Sequence, residues 1–153
     1  MNEKTILVSG AFNPLHFGHL LLLREASKYG KVIVALNSDN WVKENKGYLL
    51  FDFETRKSLL EECEYVSQVI SFDDSDGDVV YALFEVRPTY FGNGGSATSR
   101  SLPEVEMRVC EYLGIETVFN LGDTVKSIDN NKLQSAQKSI IKHANSELDK
   151  LKQ

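Results

Sequence analysis

The chain has 153 residues, a length that predicts one domain over residues 1–153. Its 42% hydrophobic and 25% charged residues are typical of a globular protein, and its net charge of −5 argues against a nucleic-acid binder, which is usually basic. No apolar run approaches the roughly 20 residues of a membrane span, and the N-terminal run is too short for a signal peptide. We therefore expect a cytoplasmic protein that binds neither nucleic acid nor membranes.

Short apolar runs alternate with segments of helical periodicity along the chain. Five runs predict buried strands, in chain order KTILVSG, KVIVALNS, QVISF, TYFG and ETVFNLG. Segments with helical spacing follow the first four, and a final helix is expected over about residues 128–150. Asp52 is a predicted N-cap, and Ser101 with Glu104 forms a predicted capping box. Residues 39–51 are polar and irregular, which predicts a surface loop with about one helical turn.

This alternation predicts an α/β protein: a single Rossmann-like domain with a five-stranded parallel sheet and helices on both faces. Ligands of such folds bind beyond the carboxyl ends of the strands, so the loops that follow strands are the informative ones. One of them, the acidic run DDSDGD at 73–78, lacks the length and final Glu of a calcium loop. We expect it to be a solvated turn that caps the next helix.

The loop after the first strand, GAFNPLHFGH, carries two histidines three residues apart, His16 and His19. They fall at the start of the first predicted helix, where free backbone N–H groups and the helix dipole favour an anion. Two imidazoles beside such amides suit the charge that develops at phosphorus during in-line displacement. A metal site needs further ligands, and the third histidine, His143, is far away on the last helix.

GAFNPLHFGH resembles the His-x-Gly-His signature of the nucleotidyltransferase superfamily, the cytidylyltransferase-like enzymes, with Ala11 in place of Thr and Asn13 in place of Asp. The resemblance implies that His16 and His19 stabilise the transition state. It also implies that the residues of the preceding turn bind the nucleotide: Gly10, Ala11, Phe12 and Asn13.

Later segments carry further resemblances. NSDNWVKENKG is similar to heptose-1-phosphate adenylyltransferases, which implies a catalytic Lys46, a nucleotide-binding Lys43 and an acceptor-binding Asp39. TRKSLLEECEYV resembles glycerol-3-phosphate cytidylyltransferases, which implies an acceptor-binding Arg56. The glycine-containing loop after the fourth strand implies nucleotide contacts from Gly92, Asn93 and Gly94. The lysines also fit solvated surface charges, and Arg56 also fits an exposed helix residue paired with Asp52.

The end of the chain departs from the family pattern. The family's Ser/Thr-rich signature is replaced by GDTVKSIDNNK, where Lys126 and Ser127 are the candidate triphosphate contacts. The resemblance implies transfer of a nucleoside monophosphate from an NTP, with CTP slightly favoured over ATP, to a small phosphorylated acceptor such as glycerol-3-phosphate or a sugar phosphate. Pyrophosphate leaves, Mg²⁺ accompanies the nucleotide phosphates, and a homodimer is possible. The alternatives are another acceptor class, or a nucleotide-binding or regulatory relative with little transferase activity.

Overall fold

The computed structural model describes residues 3–94, 102–122 and 130–151, with the side chains of the last range described from residue 138 onward. Its five strands are β1 (Thr5–Gly10), β2 (Lys31–Leu36), β3 (Val66–Ile70), β4 (Tyr90–Gly94) and β5 (Glu116–Leu121). Its helices are α1 (Phe17–Ser27), α2 (Asp39–Lys46), α3 (Phe53–Glu61), α4 (Val80–Val86), α5 (Glu104–Leu113) and α6 (Asn130–Leu151). No helix of these ranges combines the length and the apolar character that crossing a membrane requires.

The strands form one parallel sheet in the order β3-β2-β1-β4-β5. The chain first moves outward on one side of β1 and then crosses to β4 on its other side. The order of the strands therefore reverses beside β1, and a crevice at the carboxyl ends of β1 and β4 is the ligand position that such a sheet favours. The loop that carries the two histidines leaves β1 at this point, and the predicted α/β class is confirmed.

Alternate residues of the strands are buried on opposite faces of the sheet. Ile6 and Val8 belong to a core cluster with Leu23 of α1 and Leu60 of α3. Leu7, between them in sequence, belongs to a second cluster with residues of α4 and α5. Because successive side chains of a strand point to opposite faces, a strand that is apolar throughout requires helices on both sides. That arrangement was predicted from the sequence and is observed.

The expectation of a surface loop at 39–51 is wrong for its first part, because Asp39–Lys46 is a helix of eight residues. The Ser38 side chain caps it by accepting a hydrogen bond from the Trp41 N–H, 3.1 Å away. Gly47 ends it in the left-handed region, with φ of 78°, and Val42 is buried on its inner face. The two cap residues are the local signals that a reading based on polarity overlooks.

Two other local predictions are corrected. Helix α5 begins at Glu104 with Pro103, rather than the predicted Ser101, in the N-cap position. Ser101 itself lies outside the described residues. The acidic run is only partly solvated, because Asp74 is buried. Its carboxylate accepts hydrogen bonds from the Ser38 backbone N–H and hydroxyl, both at 2.8 Å, and from the Asn37 side chain at 3.2 Å. A buried carboxylate with these donors ties the loop after β3 to the start of α2.

Candidate active site

The loop after β1 turns sharply around Phe12. This residue is buried and has a φ of 46°, in the left-handed region that a bulky side chain rarely adopts. Its ring lies over Gly10, where an added Cβ would approach the ring to 3.0 Å, and against the His19 ring with 4.7 Å between centroids. Gly10 therefore provides room for the aromatic ring, and that ring supports one face of His19.

The two histidines are fixed against each other at the start of α1. The His16 Nδ1 accepts a hydrogen bond from the Gly18 N–H at 3.1 Å, and the His19 Nδ1 accepts one from the His16 N–H at 3.2 Å. The two rings are stacked, 3.6 Å apart and 22° from parallel. Gly18 leaves room for this geometry, because a Cβ there would lie 3.0 Å from the His16 ring and would press against it.

Both imidazoles are held neutral with the proton on Nε2. A ring nitrogen that accepts a hydrogen bond carries no proton, so the N–H of each neutral ring is on the other nitrogen. Burial lowers the pKa of His16. Burial, the neighbouring His16 and the Lys46 ammonium lower the pKa of His19 to about 3. The site thus offers two adjacent Nε2–H donors at the N-terminus of a helix, an arrangement that suits the oxygens of a phosphate.

The lowered pKa of His19 leads us to expect that folding stability decreases with falling pH. The unfolded chain takes up this proton near pH 6.5, whereas the folded chain stays neutral to about pH 3. Between these values the unfolded state binds more protons, so the free energy of unfolding falls by up to about 1.4 kcal/mol per pH unit. Urea unfolding from neutral pH down to about pH 5 measures this slope. His19→Asn, which takes up no proton, should have a shallower slope; equal slopes would contradict the expectation.

Asn13 joins this loop to the segment that follows α2. Its side-chain amide donates to the Tyr48 carbonyl at 3.2 Å, and its carbonyl oxygen accepts from the backbone N–H of Leu50 at 2.8 Å and of Phe51 at 3.3 Å. Asn13 is only 7% exposed. In this structure its side chain is therefore occupied in positioning residues 48–51, and a contact with nucleotide stays a prediction.

Arg56 is buried, so the interpretation of it as an exposed helix residue paired with Asp52 is wrong. Its guanidinium donates to the carbonyl oxygens of Phe51 at 3.0 Å, Ala11 at 2.8 Å and Asn37 at 2.9 Å. It also forms an ion pair with Asp39 at 2.7 Å. One side chain thus links the loops after β1 and β2 and the start of α2, which places Asp39 at the carboxyl edge of the sheet. That Asp39 and Arg56 contact an acceptor stays a prediction.

Lys43 and Lys46 both lie in the last turn of α2 and are exposed. The Lys46 ammonium lies 5.9 Å from the centre of the Trp41 ring, and it is close enough to His19 to lower the pKa of that imidazole. Residues three apart on a helix share a face. The structure therefore places the Lys46 ammonium near His19. That Lys43 and Lys46 bind phosphates stays a prediction.

The sequence profile of the family described as cytidylyltransferase-like matches residues 7–144, which include the loop, both histidines and both lysines. The chain belongs to the cytidylyltransferase-like family. Glycerol-3-phosphate cytidylyltransferase of Staphylococcus aureus is 43% identical over 70 residues, 44% of this chain and 52% of that protein. The bifunctional protein HldE of Histophilus somni is 35% identical over 83% of this chain, which spans only 25% of HldE.

Two further comparisons cover most of this chain and most of the protein to which it is compared. Phosphopantetheine adenylyltransferase of Pyrococcus abyssi is 32% identical, and the match covers 83% of this chain and 88% of that protein. The crystal structure of a lipopolysaccharide core biosynthesis protein from Thermoplasma volcanium superimposes with a TM-score of 0.63 at 26% identity, covering 78% of this chain and 95% of the other. The resemblance to the superfamily and the predicted fold are thereby confirmed.

The glycine-containing loop of this cytidylyltransferase-like protein has evident packing roles. A Cβ at Gly92 would lie 2.7 Å from Leu121, and one at Gly94 would approach Leu22 even more closely. The Asn93 side chain donates to the carbonyl oxygens of Phe91 and Val118 at 3.2 and 3.4 Å. Gly92, Asn93 and Gly94 form the carboxyl end of β4. That they contact a nucleotide stays a prediction. The candidates Lys126 and Ser127 lie outside the described residues.

The sequence reading missed Asn37, Asp74 and Tyr48 as parts of this site. Asn37 directly follows β2, and Asp74 follows β3 by four residues. Because parallel strands end at a common edge, polar side chains just beyond neighbouring strands tend to meet. That rule was a usable signal for the pairing of Asp74 with Ser38. No comparable signal pointed to Tyr48, which is positioned through its backbone carbonyl.

We expect Asn13→Asp, which restores the residue usual in the family, to destabilise this member. The carboxylate cannot donate to the Tyr48 carbonyl, and the unpaired buried oxygen should lower the free energy of unfolding by about 1–3 kcal/mol. Asn45→Asp is the matched control, because the Asn45 amide donates to the Trp41 carbonyl at 2.9 Å on an exposed surface. Urea unfolding measures both variants. A loss in Asn13→Asp no larger than in Asn45→Asp would show that the buried amide is dispensable.

Proposed function

We propose that the chain is a nucleotidyltransferase that transfers a nucleoside monophosphate from an NTP to the phosphate of a small acceptor. The observation that carries this proposal is the stacked histidine pair, with two Nε2–H donors at the helix N-terminus beside Lys46. An oxygen of the acceptor phosphate attacks the α-phosphorus and forms the new P–O bond. The bond from that phosphorus to the bridging oxygen breaks, and pyrophosphate leaves with the electron pair.

The histidines would act by hydrogen bonding rather than by transferring protons. Their lowered pKa values keep them neutral, so each donates an Nε2–H to the α-phosphate oxygens as negative charge develops there. The acceptor phosphate is already ionised near neutral pH, so no general base is needed. Lys46, an exposed cation at the end of α2, would neutralise charge on the departing phosphates, and Lys43 would bind the nucleotide.

The nucleotide and the acceptor are parts of the proposal. We favour CTP slightly over ATP, with glycerol-3-phosphate or a sugar phosphate as the acceptor. The similarity to the S. aureus glycerol-3-phosphate cytidylyltransferase supports CTP, whereas the similarity to the P. abyssi phosphopantetheine adenylyltransferase supports ATP. Asp39 stands at the edge of the site in its ion pair with Arg56, where the pair would face the acceptor side. A homodimer also stays a prediction.

Mg²⁺ would be held chiefly by the nucleotide phosphates. Among the described residues, no three His, Cys, Asp or Glu side chains lie together as a dedicated ion site would need. When bound, the ion would neutralise charge on the leaving pyrophosphate. The residues of this chain would then orient the phosphates around it.

Pyrophosphate release tests the proposal. The protein is incubated with CTP or ATP, Mg²⁺ and, in separate reactions, glycerol-3-phosphate, glucose-1-phosphate or 4′-phosphopantetheine, and the nucleotidyl product is identified by mass. The His16→Asn/His19→Asn double variant is the control for contaminating activity. Nucleotide binding without release in any reaction would instead favour a regulatory, nucleotide-binding relative, the alternative suggested by the altered C-terminal signature.

A further inference from the structure

Helix α1 contacts the carboxyl ends of two strands besides the one that precedes it. Its Leu22 side chain packs against the end of β4, where an added Cβ at Gly94 would clash with it. Its Glu25 side chain accepts a hydrogen bond from the backbone N–H of Gly122, 2.7 Å away and directly after β5. The proposed mechanism uses neither side chain, so the purpose of these contacts is open.

The chain leaves β5 in close contact with the backbone of α1. Gly122 has a φ of 78°, in the left-handed region that favours glycine. A Cβ at this position would lie 3.0 Å from the backbone nitrogen of Leu22 and 3.1 Å from its Cα. Gly122 and Glu25 thus form one junction, which combines a close backbone approach with a hydrogen bond to a carboxylate, one of the stronger kinds.

His19, Leu22 and Glu25 follow one another at intervals of three residues along α1. Residues at this interval form a ridge on the surface of a helix. The ridge that carries one imidazole of the histidine pair therefore also carries the contacts to β4 and β5. At the usual rise per residue, Glu25 is only about 9 Å along the helix axis from His19.

Strand β4 connects this junction to the predicted nucleotide contacts. It lies between β1 and β5 in the sheet, and its last residue, Gly94, pairs with Leu121 at the end of β5. The predicted nucleotide contacts of β4 are residues 92–94. Because Glu25 holds the end of β5, and β5 is bonded to β4, the distance between those contacts and the histidines depends on this one hydrogen bond.

We propose that Glu25 is a positioning residue for the nucleotide: its hydrogen bond to Gly122 holds the ends of β4 and β5 at a fixed distance from the histidine pair. The proposal rests on the proposed function and deepens it by naming a residue that acts on the nucleotide side. The predicted acceptor contacts, Asp39 and Arg56, lie on the other side of β1, in segments that follow β2. Acceptor binding should therefore be independent of Glu25.

Three substitutions of Glu25 separate the reach of the side chain from its charge. Glu25→Gln keeps the length and an acceptor oxygen for the Gly122 N–H but removes the charge. Glu25→Asp keeps the charge and is one methylene shorter, so its oxygens fall short of Gly122 unless the strand ends shift. Glu25→Ala removes both. The control is Glu85→Ala, which removes an exposed carboxylate of α4 and changes the net charge equally.

Calorimetry with CTP and with ATP in the presence of Mg²⁺ gives the nucleotide Kd, and urea unfolding gives the stability of each variant. Pyrophosphate release at saturating NTP gives the KM for the acceptor. We expect Glu25→Asp and Glu25→Ala to raise the nucleotide Kd by about tenfold, because a small displacement of binding groups weakens their contacts even when its cause is remote. Glu25→Gln and Glu85→Ala should stay close to the wild type, and the acceptor KM should be unchanged in all four.

Lower stability with a wild-type Kd in the Asp and Ala variants would show that Glu25 only supports the fold, and would refute the proposal. A larger loss of affinity in Glu25→Gln than in Glu25→Asp would assign the effect to charge and would also refute it. This comparison decides the matter even if Glu25→Ala does not fold, and calorimetry needs no turnover. If the wild-type protein binds neither nucleotide, the proposed function itself fails, and the role of Glu25 fails with it.

Discussion

Replacing His19 by Asn is expected to lower kcat by about 10²- to 10³-fold, the usual effect of removing one preorganised donor to a transition state. Asparagine places its side-chain oxygen near the position of Nδ1, so it can still accept from the His16 N–H. It lacks the Nε2–H donor. His16→Asn likewise keeps an acceptor for the Gly18 N–H and removes the second donor. Steady-state pyrophosphate release gives kcat, and urea unfolding at neutral pH checks that each variant folds.

Two further variants make this result specific to the Nε2 position. Glutamine at position 19 can place an amide N–H near Nε2, so His19→Gln should retain more activity than His19→Asn. His143→Ala removes an exposed histidine of α6 and should leave kcat unchanged. A His19→Asn variant with wild-type kcat would refute the mechanism. Equal losses in Asn and Gln variants would show that the stacked ring itself, rather than its donor, is what the site needs.

Arg56→Ala is expected to be the most destabilising single substitution outside the apolar core. It removes the donors to three backbone carbonyl oxygens and leaves Asp39 without its partner. Breaking a buried ion pair from one side typically lowers the free energy of unfolding by about 3–5 kcal/mol. Because the Asp39 side chain is 35% exposed, we expect a loss near the lower end of that range. The matched control is Arg108→Ala, since Arg108 pairs with Glu104 on the exposed face of α5. Such a surface pair contributes about 0.3–0.5 kcal/mol.

Chemical unfolding of Arg56→Ala, Arg56→Lys and Arg108→Ala tests this expectation. Lysine keeps the charge, but a single ammonium cannot reproduce the planar fork that reaches several acceptors, so Arg56→Lys should recover only part of the loss. The kinetics of the same variants separate the structural role from a direct one. Wild-type stability in Arg56→Ala together with a raised KM for the acceptor would show that Arg56 binds the acceptor and does not hold the loops.

Sequence periodicity and spacing predicted the strands, the parallel sheet and the position of the histidine loop. Those features depend on patterns within short segments of the sequence. In β1, for example, the consecutive apolar residues Ile6, Leu7 and Val8 are buried on alternating faces of the sheet. Helix α2 was missed because its segment is polar. The residues that favour a helix there are its two caps, Ser38 and Gly47. Polar composition and cap residues point to different structures for this segment. The burial of Val42 against the rest of the fold favours the helix, and composition alone does not reveal that burial.

The connections between loops were harder to foresee. Asn13 bonds to Leu50, and Asp74 bonds to Ser38, across intervals of 37 and 36 residues. Such pairs form only after the strands have brought their ends together, and nothing in the intervening sequence records them. Arg56 illustrates the same difficulty, because a helix arginine near an acidic N-cap gives no sign that it will be buried under two other loops.

These connections fix α2 at both of its ends. Asp74 holds Ser38 and Arg56 holds Asp39 at the beginning, while Asn13 holds the backbone just beyond Gly47. A short helix held in this way has a fixed backbone, and the Cα of Lys46 near its far end keeps its place relative to the histidine loop. The backbone entropy of placing that helix end is then lost once, when the chain folds, and only the side-chain entropy of Lys46 is left to be lost when a nucleotide binds.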